Sequence, residues 1–348
     1  MAEATLKDVA RAANVHVGTA SRALDPARSH LVNEVTKQRV LTAATELGYK
    51  VNAMARGLRK GSSGLIGVVV GDVGNPFLPP ILRGIEQELG PRGFMTVVAE
   101  THENSDVLQS TCEQLLALRV DAIVISAAHL GDEPFVTELE KLVPVVLGVR
   151  RVNGAGHHIV THDDVLGARL ATSHLVDCGH RQLAQLRGPL DVSSFSGRAE
   201  GFQQIVAERG CEDVSIDVVA DEPTTAEGKR LAEQLLARTR NRPTAIFAHN
   251  DSMAVGALEA LADVGLSCPR DVSIVGYNDA PLTEHLEPAL STVRLPSHAL
   301  GRRTAALVLG LLSGEAEPPS TVQLQPELII RGSTSSRVPL AAAEPAGA

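Results

Sequence analysis

The sequence predicts an α/β protein in two parts, a three-helix helix-turn-helix headpiece followed by a larger two-lobed body of the doubly wound α/β class. Three observations predict this class. Apolar residues recur at helical spacing through the first fifty residues, strand-like and helix-like segments alternate farther along the chain, and the two parts differ in charge. Hydrophobic residues make up 44% of the 348, which is enough for a globular core in each part.

The headpiece is predicted from its helix caps and turns. A capping box opens the first helix, in which Thr5 and Asp8 each accept a hydrogen bond from the other's backbone N–H. Asn14 suits the tight turn that follows, because asparagine tolerates the left-handed conformation. A second helix is predicted over 17–24, and a third begins after Asn33, a favourable N-cap residue. Small residues on the inward sides let two helices cross closely.

The first sixty residues are basic, although the chain as a whole is acidic. They hold ten Lys or Arg and five Asp or Glu, a net charge of +5, whereas the whole chain carries −9 and the remainder therefore −14. A basic segment on an acidic body is typical of a module that binds a polyanion such as DNA. A solvated basic tail would show the same balance, so charge alone leaves both interpretations open.

The body is predicted to be a series of strands, each followed by a helix or a turn. This order indicates parallel sheets that are covered on both faces. One series begins with the buried strand 65–70 and a second near 158–161, which gives two lobes, and a strand of the second lobe is expected over 217–220. Segments 292–295 and 321–328 are predicted to be strands that return between the lobes. The chain would then cross between lobes three times.

Residues that directly follow strands are the candidates for binding a small molecule, because open α/β sheets bind ligands beyond the carboxyl ends of their strands. Helix capping explains Asn75 and Asp163 nearly as well, whereas contact with a ligand is favoured for Arg198 and Asn278. The full set of candidates is Asp72, Asn75, Phe77, Ser126, Arg150, Asp163, Phe195, Arg198, Asn250 and Asn278.

Several motifs resemble those of the lactose/galactose repressor (LacI/GalR) family. They lie at residues 5–10, 19–24, 47–49 and 52–58, and the resemblance continues through the body to about residue 337. It implies a periplasmic-binding-protein-like (type I) body and a transcription regulator, expected to be a repressor. Such a protein binds double-stranded DNA at a palindromic operator as a homodimer, under the control of a small-molecule effector.

The resemblance also implies which headpiece residues contact DNA. Arg22 resembles an arginine that reads a base, and guanidinium to guanine is the commonest bidentate contact. Two positions depart from the family. His16 stands where Ser or Asp is usual, so the second helix is expected to lose its best N-cap, worth ~1 kcal/mol, and Gly18 has no side chain with which to read a base. The matching positions, for base edges and phosphates together, are Thr5, His16, Val17, Gly18, Thr19, Ser21, Arg22 and Asn33.

Residues 51–63 are predicted to be a hinge between the two parts. A helix this short is marginal in water and would form only against a partner or DNA. The resemblance implies that Leu58 wedges into the minor groove at the operator centre and unstacks a base step. Ala55 shares its helical face, and Asn52 and Arg56 would support contacts to the groove or phosphates. The alternative is a flexible linker with an incidental leucine.

The predicted boundaries follow from these elements. The headpiece covers 1–50, the hinge and linker 51–63, the effector-binding and dimerisation domain 64–337, and a disordered tail 338–348. Within the body, lobe 1 is expected at about 64–160 and 293–322, and lobe 2 at about 161–290 and 325–337.

A sugar or related metabolite is the effector that the resemblance implies. Val149, however, stands where many members carry an aspartate that binds sugar hydroxyls, and Asn278 replaces another frequent aspartate. We therefore also consider a smaller, less hydroxylated or anionic effector, held by Arg150 and Arg198. The sequence leaves open whether the effector releases DNA or strengthens its binding.

Other functions have less support. His157, His158 and His162 lie close together, but strand alternation turns the first two to opposite faces and no further ligand completes a zinc set, so no metal or other cofactor is expected. No nucleophile with a base and no phosphate-binding glycine loop is present, so an enzyme is not expected. No signal peptide or membrane span is seen, which predicts a cytoplasmic protein. A solute-binding protein with the same body is the alternative, and the headpiece argues against it.

Overall fold

The computed structural model describes residues 4–25, 28–49, 62–238, 242–314 and 318–337. Its internal contacts divide the chain into two units, Met1–Gly64 and Leu65–Ala348. The smaller unit contains the headpiece and the larger one is the body.

Three helices form the headpiece, α1 (Leu6–Ala12), α2 (Val17–Ala23) and α3 (Glu34–Glu46). The predicted capping box is present: Thr5 N donates to Asp8 Oδ2 at 3.0 Å, and Asp8 N donates to Thr5 Oγ1 at 3.4 Å. The helices enclose a core of small and aliphatic side chains, as their spacing predicts. That core consists of Val9, Ala10, Ala13, Ala20, Ala23, Val40, Ala43 and Ala44.

The body alternates strands and helices along the chain. Its first elements are β1 (Leu65–Val70), α4 (Leu78–Leu89), β2 (Met95–Glu100), α5 (Ser105–Ala117), β3 (Ala122–Ile125), α6 (Glu133–Glu140), β4 (Val145–Val149) and β5 (Ile159–His162). The next are α7 (Asp164–Asp177), β6 (Gln182–Leu186), α8 (Ser193–Glu208), β7 (Glu212–Asp213), α9 (Thr225–Leu236), β8 (Ala245–Ala248) and α10 (Asp251–Asp263). The last are β9 (Ser273–Asn278), β10 (Ser291–Arg294), α11 (Ser297–Ser313), β11 (Thr321–Leu324) and β12 (Glu327–Ile329).

The first sheet has six parallel strands in the order β11-β5-β4-β3-β1-β2. Its strand β1 is buried from the second residue onward, because helices cover both faces of the sheet. Val69 contributes to the core formed with α5 and α6, whereas Val68 and Val70 contribute to the core formed with α4 and α11.

The second sheet also has six strands, in the order β12-β10-β9-β8-β6-β7. All pairs are parallel except β10 and β12, which run antiparallel. Phe247 of β8 packs with α7 and α8, and its neighbour Ile246 packs with α9 and α10. Each sheet with its helices is one lobe of the predicted doubly wound body.

The chain passes between the lobes three times, as predicted. It crosses between β5 and α7, between β10 and α11, and between β11 and β12. Helix α7 packs on β10 and β12 of the second sheet, whereas α11 packs on α4 and β4 of the first.

Two strands fall in a different lobe from the one expected. The second series is predicted to begin near 158–161, but β5 lies between β4 and β11 in the first sheet. Residues from 293 onward are predicted to belong to lobe 1. In the structure, however, β10 pairs with β9 and β12 in the second sheet. Both errors fall where the chain crosses between lobes, because a strand's own sequence does not identify its neighbours.

The prediction of a strand over 217–220 is wrong. The edge strand is the two-residue β7, and farther along a single bridge pairs Val219 with Arg187. Asp213 is the last residue of β7, and its Oδ1 accepts a hydrogen bond from Ser215 N at 2.9 Å. A local side-chain bond of this kind competes with the ladder and ends the strand early.

Candidate functional site

The start of α2 is the part of the headpiece that is predicted to reach base edges. His16 is its N-cap residue, and Nδ1 of the ring accepts a hydrogen bond from Gly18 N at 3.1 Å. His16 thus caps the helix although it replaces the Ser or Asp that is expected to be the best N-cap, since a neutral imidazole keeps one nitrogen as an acceptor. A Cβ at Gly18 would lie 3.3 Å from that Nδ1 and 3.8 Å from a terminal nitrogen of Arg22.

The other headpiece candidates lie at two helix starts and along α2. Thr5 caps α1, and Asn33 caps α3 by accepting from Thr36 N at 2.8 Å. His16 and Arg22 are exposed, and the intervening candidates Val17, Gly18, Thr19 and Ser21 are half-buried. The hinge candidates Asn52, Ala55, Arg56 and Leu58, and the predicted tail, lie outside the described residues.

A cavity of about 420 Å³ lies between the two lobes of the body. We call it the cleft cavity. Loops after β1 and β2 line it from the first lobe, and the loop before α9 and the start of α10 line it from the second. Three of the predicted effector residues, Asp72, Asn75 and Asn250, line this cavity.

The cleft cavity is acidic. Four carboxylate residues line it and none of its lining residues is Lys or Arg. Sequence reasoning found Asp72 but missed Glu100, Glu103 and Glu222. The first two end or follow β2, so the rule that selects residues after strands would have found them had it been applied to that strand. Glu222 follows no regular strand and gave no such signal.

A second cavity, of about 480 Å³, lies where β10 leads into α11. Phe77 and Asn278 line it, and Pro76 lines both cavities. The ring of Phe77 meets His162 edge-on, with the centroids 5.8 Å apart. Five of the ten predicted effector residues thus line two neighbouring cavities, and the other five line neither of them.

Arg150 is held by a carboxylate of the cleft cavity. Its two terminal nitrogens donate to the two oxygens of Glu103 at 2.6 and 2.8 Å. Burial would raise the pKa of Glu103, but the nearby imidazole of His129 and the guanidinium of Arg150 lower that pKa to about 2. The glutamate is therefore ionised, and its charge compensates that of the arginine.

Arg198 is likewise compensated, and it is only 4% exposed. Its Nε donates to Asp164 Oδ1 at 2.9 Å, and Nη1 donates to the carbonyl of His249 at 2.5 Å. Its guanidinium also lies over two aromatic rings, 3.9 Å from the centroid of Tyr277 and 5.0 Å from that of Phe195. Burial raises the pKa of Asp164 and the adjacent Arg198 opposes this shift.

Two buried histidines beside Arg198 are neutral. Burial and the positive charge of Arg198 lower the pKa of His162 to about 3 and the pKa of His249 well below its usual range. The hydrogen bonds of His249 fix its tautomer: Nδ1 accepts from Gly188 N at 3.3 Å, so Nε2 carries the proton that it donates to Gln185 at 2.9 Å.

The remaining effector candidates have structural contacts in the body. Asp163 caps α7, accepting from Leu166 N at 2.9 Å, which is the capping role that its sequence position also suggested. Ser126 is buried at the end of β3, and Phe195 packs 6.2 Å from the ring of His249. Contact of these residues with an effector stays a prediction.

Neither a metal-ligand cluster nor a membrane-spanning helix is found among the described residues. No group of three or more His, Cys, Asp or Glu side chains there is arranged to hold a metal ion. None of the helices described is both long and apolar enough to cross a membrane.

Comparison with known proteins gives consistent matches along the chain. Residues 5–52 match the model for bacterial regulatory proteins of the lacI family, and residues 172–334 match a periplasmic binding protein-like domain. The HTH-type transcriptional regulator GalR of Escherichia coli K12 is 32% identical over 333 residues, which cover 96% of each chain.

Two solved structures extend these matches to three dimensions. The lac repressor dimer bound to operator and the anti-inducer ONPF aligns with a TM-score of 0.82 and 26% identity, over 96% of this chain and all of that one. The complex of the regulator CelR with cellobiose aligns with a TM-score of 0.71 and 29% identity, over 95% of this chain and 99% of that one.

Proposed function

The chain belongs to the LacI family of bacterial regulatory proteins, and we propose that it is a transcriptional repressor whose affinity for a palindromic operator is set by a small-molecule effector. It binds double-stranded DNA as a homodimer, because one three-helix headpiece can contact only a half-site. One observation carries this proposal. The same chain contains a helix-turn-helix headpiece with capped helices and a body of two sheets with a cavity between its lobes.

In the proposed DNA complex, α2 enters the major groove. Arg22 reads a base edge, and Thr5, Thr19, Ser21 and Asn33 hold phosphates, which set register and not sequence. His16, Val17 and Gly18 face the bases at the helix start. In the hinge, Leu58 is the proposed wedge, supported by Asn52, Ala55 and Arg56.

The experiment that tests DNA binding is selection of duplexes from a random library by the full-length protein, followed by titration of the selected duplex at several salt concentrations. The expected product is a palindrome. Affinity for it should fall steeply with salt, since phosphate contacts release counterions. Recovery of no palindrome, or equal affinity for the selected and a scrambled duplex, would contradict the proposal.

The effector is proposed to bind in the cleft cavity, against Asp72, Asn75 and Asn250. A cavity of about 420 Å³ is in the size range of small-molecule sites. Phe77, Arg198 and Asn278 would contact a ligand that reaches deeper between the lobes. Ser126, Arg150, Asp163 and Phe195 remain proposed contacts on sequence grounds.

The contacts of the two arginines argue against an anionic effector. Arg150 holds Glu103 and Arg198 holds Asp164, so neither guanidinium is left as an uncompensated charge. The carboxylates of the cleft cavity would repel a second anion. A neutral or amine-bearing sugar, or a related metabolite, fits this lining better, because carboxylates accept hydrogen bonds from hydroxyl and ammonium groups.

A thermal-shift screen of the full-length protein against neutral, amino and acidic sugars tests this proposal. A ligand that binds only the folded protein raises the melting temperature, and the rise grows with the ratio of the ligand concentration to its Kd. Stabilisation by neutral or amino compounds is expected. Stabilisation confined to acidic sugars would overturn the assignment.

Membership of this family also argues against the two alternative functions, an enzyme and a solute-binding protein. GalR and the lac repressor are regulators, and we propose no catalytic activity for this chain. A solute-binding protein would share the body, but the lacI-type match at residues 5–52 favours the regulator. We propose a cytoplasmic location, where its DNA target lies.

A further inference from the structure

The two lobes are joined beside the cleft cavity by three hydrogen bonds. His129, which follows β3 in the first lobe, lies with Nδ1 2.9 Å from Oδ2 of Asp191, which follows β6 in the second. The next backbone N–H, that of Leu130, donates to the carbonyl of Asp191 at 2.8 Å. Nearby, Arg151 N donates to Ser193 Oγ at 2.9 Å. These bonds can exist only while the lobes are together.

The imidazole of His129 has carboxylates on both of its sides. Nε2 lies 3.6 Å from Oε2 of Glu103, which is too long for a hydrogen bond but within ion-pair distance. Arg150, which follows β4, faces the same glutamate, and Asp132 accepts from the backbone N of His129 at 2.7 Å. The imidazole thus sits between an acid of its own lobe and an acid of the other.

We propose that protonated His129 is a bridge between the lobes, linking Glu103 in the wall of the cleft cavity to Asp191, and that it makes lobe closure depend on pH. This inference rests on the proposed effector site, because it describes how the opening of that site is regulated. The regulator would then respond to protonation as well as to its effector and to DNA.

The sign of the effect follows from which groups face the histidine. Glu103 raises the pKa of His129 most, burial opposes this, and Asp191 raises it further. The contribution of Glu103 persists when the lobes part, because both residues belong to the first lobe. Opening removes the hydrogen bond and the charge of Asp191, together with the part of the burial that the second lobe supplies, and we expect the loss of Asp191 to be the larger effect. The pKa of His129 is then higher in the closed form than in the open form.

Linkage then fixes the direction of the response. Protonation favours the closed form, and its full contribution is present below the pKa of the open form. The contribution is lost as pH rises through the higher pKa of the closed form. A neutral His129 can still donate to Asp191 from Nδ1, so closure weakens above that pH without being abolished.

Glu103 connects this bridge to the effector site. Its carboxylate lines the cleft cavity and also pairs with His129 and Arg150. A ligand that draws this carboxylate into the cavity would reduce its attraction for the imidazole. A ligand and the bridge are therefore coupled through one side chain.

Hydrogen exchange of the full-length protein, without effector or DNA, tests the bridge directly. The amides of Leu130 and Arg151 are protected only by contacts across the lobes, so their protection factors report closure. Between pH 5.5 and 8.5 we expect these factors, corrected for intrinsic exchange, to fall about two- to fivefold, the range expected of a partly exposed ion pair. Amides in the centre of β1 should show no such trend.

Three variants decide whether His129 is responsible. His129→Gln and Asp191→Asn should each remove the pH trend at Leu130 and Arg151. His298→Gln is the matched control, since His298 bonds to Gln87 within the first lobe, and it should retain the trend. A flat wild-type profile, or an unchanged trend in both bridge variants, would overturn the bridge. That result would leave the proposed function intact, because operator binding is measured separately.

Discussion

The guanidinium carbon of Arg198 lies 3.9 Å from the centroid of the Tyr277 ring, and Asp164 is bonded to the same guanidinium at 2.9 Å. Cation, ring and carboxylate form one buried unit in the second lobe. Arg198 is therefore needed for the stability of the lobe, whatever it contributes to an effector.

Removing Arg198 should destabilise the body strongly. Arg198→Met leaves Asp164 buried without a compensating charge, so the free energy of unfolding should fall by about 3–5 kcal/mol. The double variant Arg198→Met/Asp164→Asn should recover part of that loss. Urea unfolding of the four proteins in a double-mutant cycle measures the coupling, and additive losses would show that the pair does not act as a unit.

Glu103 should make the body sensitive to acid. Its pKa of about 2 is below its ordinary value of 4.5, so its contribution to stability is present above pH 4.5 and is lost as pH falls through 2. The shift corresponds to at most about 3 kcal/mol. Unfolding of Glu103→Gln should therefore depend less steeply on pH between 5 and 2 than that of the wild type. Glu138→Gln removes a carboxylate that is 70% exposed and should leave the slope unchanged.

The crossing of α4 and α11 depends on glycine. A Cβ at Gly301 would lie 2.1 Å from the carbonyl oxygen of Ile81, so Gly301→Ala must move one helix and should cost about 1–3 kcal/mol or more. Gly310→Ala lies on the same helix with nothing within 4 Å and should stabilise it by up to about 1 kcal/mol. Thermal melting distinguishes the two, and equal effects would contradict the close crossing.

His16 should stabilise the start of α2. His16→Ala removes the acceptor for Gly18 N and should cost about 1 kcal/mol of helix stability, whereas His16→Asn should restore it. Hydrogen exchange of the first-turn amides of α2 in the full-length protein measures this. Asn33→Ala is the control, because it removes the cap of α3 and should leave those amides unchanged.

Gly18 should leave a gap in operator recognition. Sequence selection is expected to show a strong preference at base pairs facing Arg22 and little at those facing Gly18, since glycine offers no side chain to a base edge. Gly18→Gln should introduce a preference for adenine there. A strong wild-type preference at that position would show that another group reads those bases.

Local features of the fold could be predicted from the sequence, and contacts between distant residues could not. The capping box at Thr5 and the left-handed Asn14, with φ of 46°, depend on neighbours a few residues away. Glu103 is 47 residues from Arg150, and nothing in either segment reveals that they meet. The pairing with Glu103 argues against an anion-binding role for Arg150, and the sequence gives no sign of it for this reason.

The order of strands in each sheet likewise depends on contacts between distant residues. Buried runs in the sequence predict most strands of the body, but they do not predict which sheet β5 and β10 join, because the partners of a strand depend on residues far away in the chain. Among the site residues, those directly after strands were found where the rule was applied. Glu222 has no strand before it and could be found only from the folded structure.

Both sheets contain a strand from the last described segment of the chain: β11 belongs to the first sheet and β12 to the second. Ser333, a little farther on, is fully buried and bonds to β9 and β10. During synthesis on the ribosome, neither lobe can therefore close its sheet until this late segment has emerged. A nascent chain would carry a finished headpiece well before it has a working sensor, and truncation before β11 would damage both lobes at once.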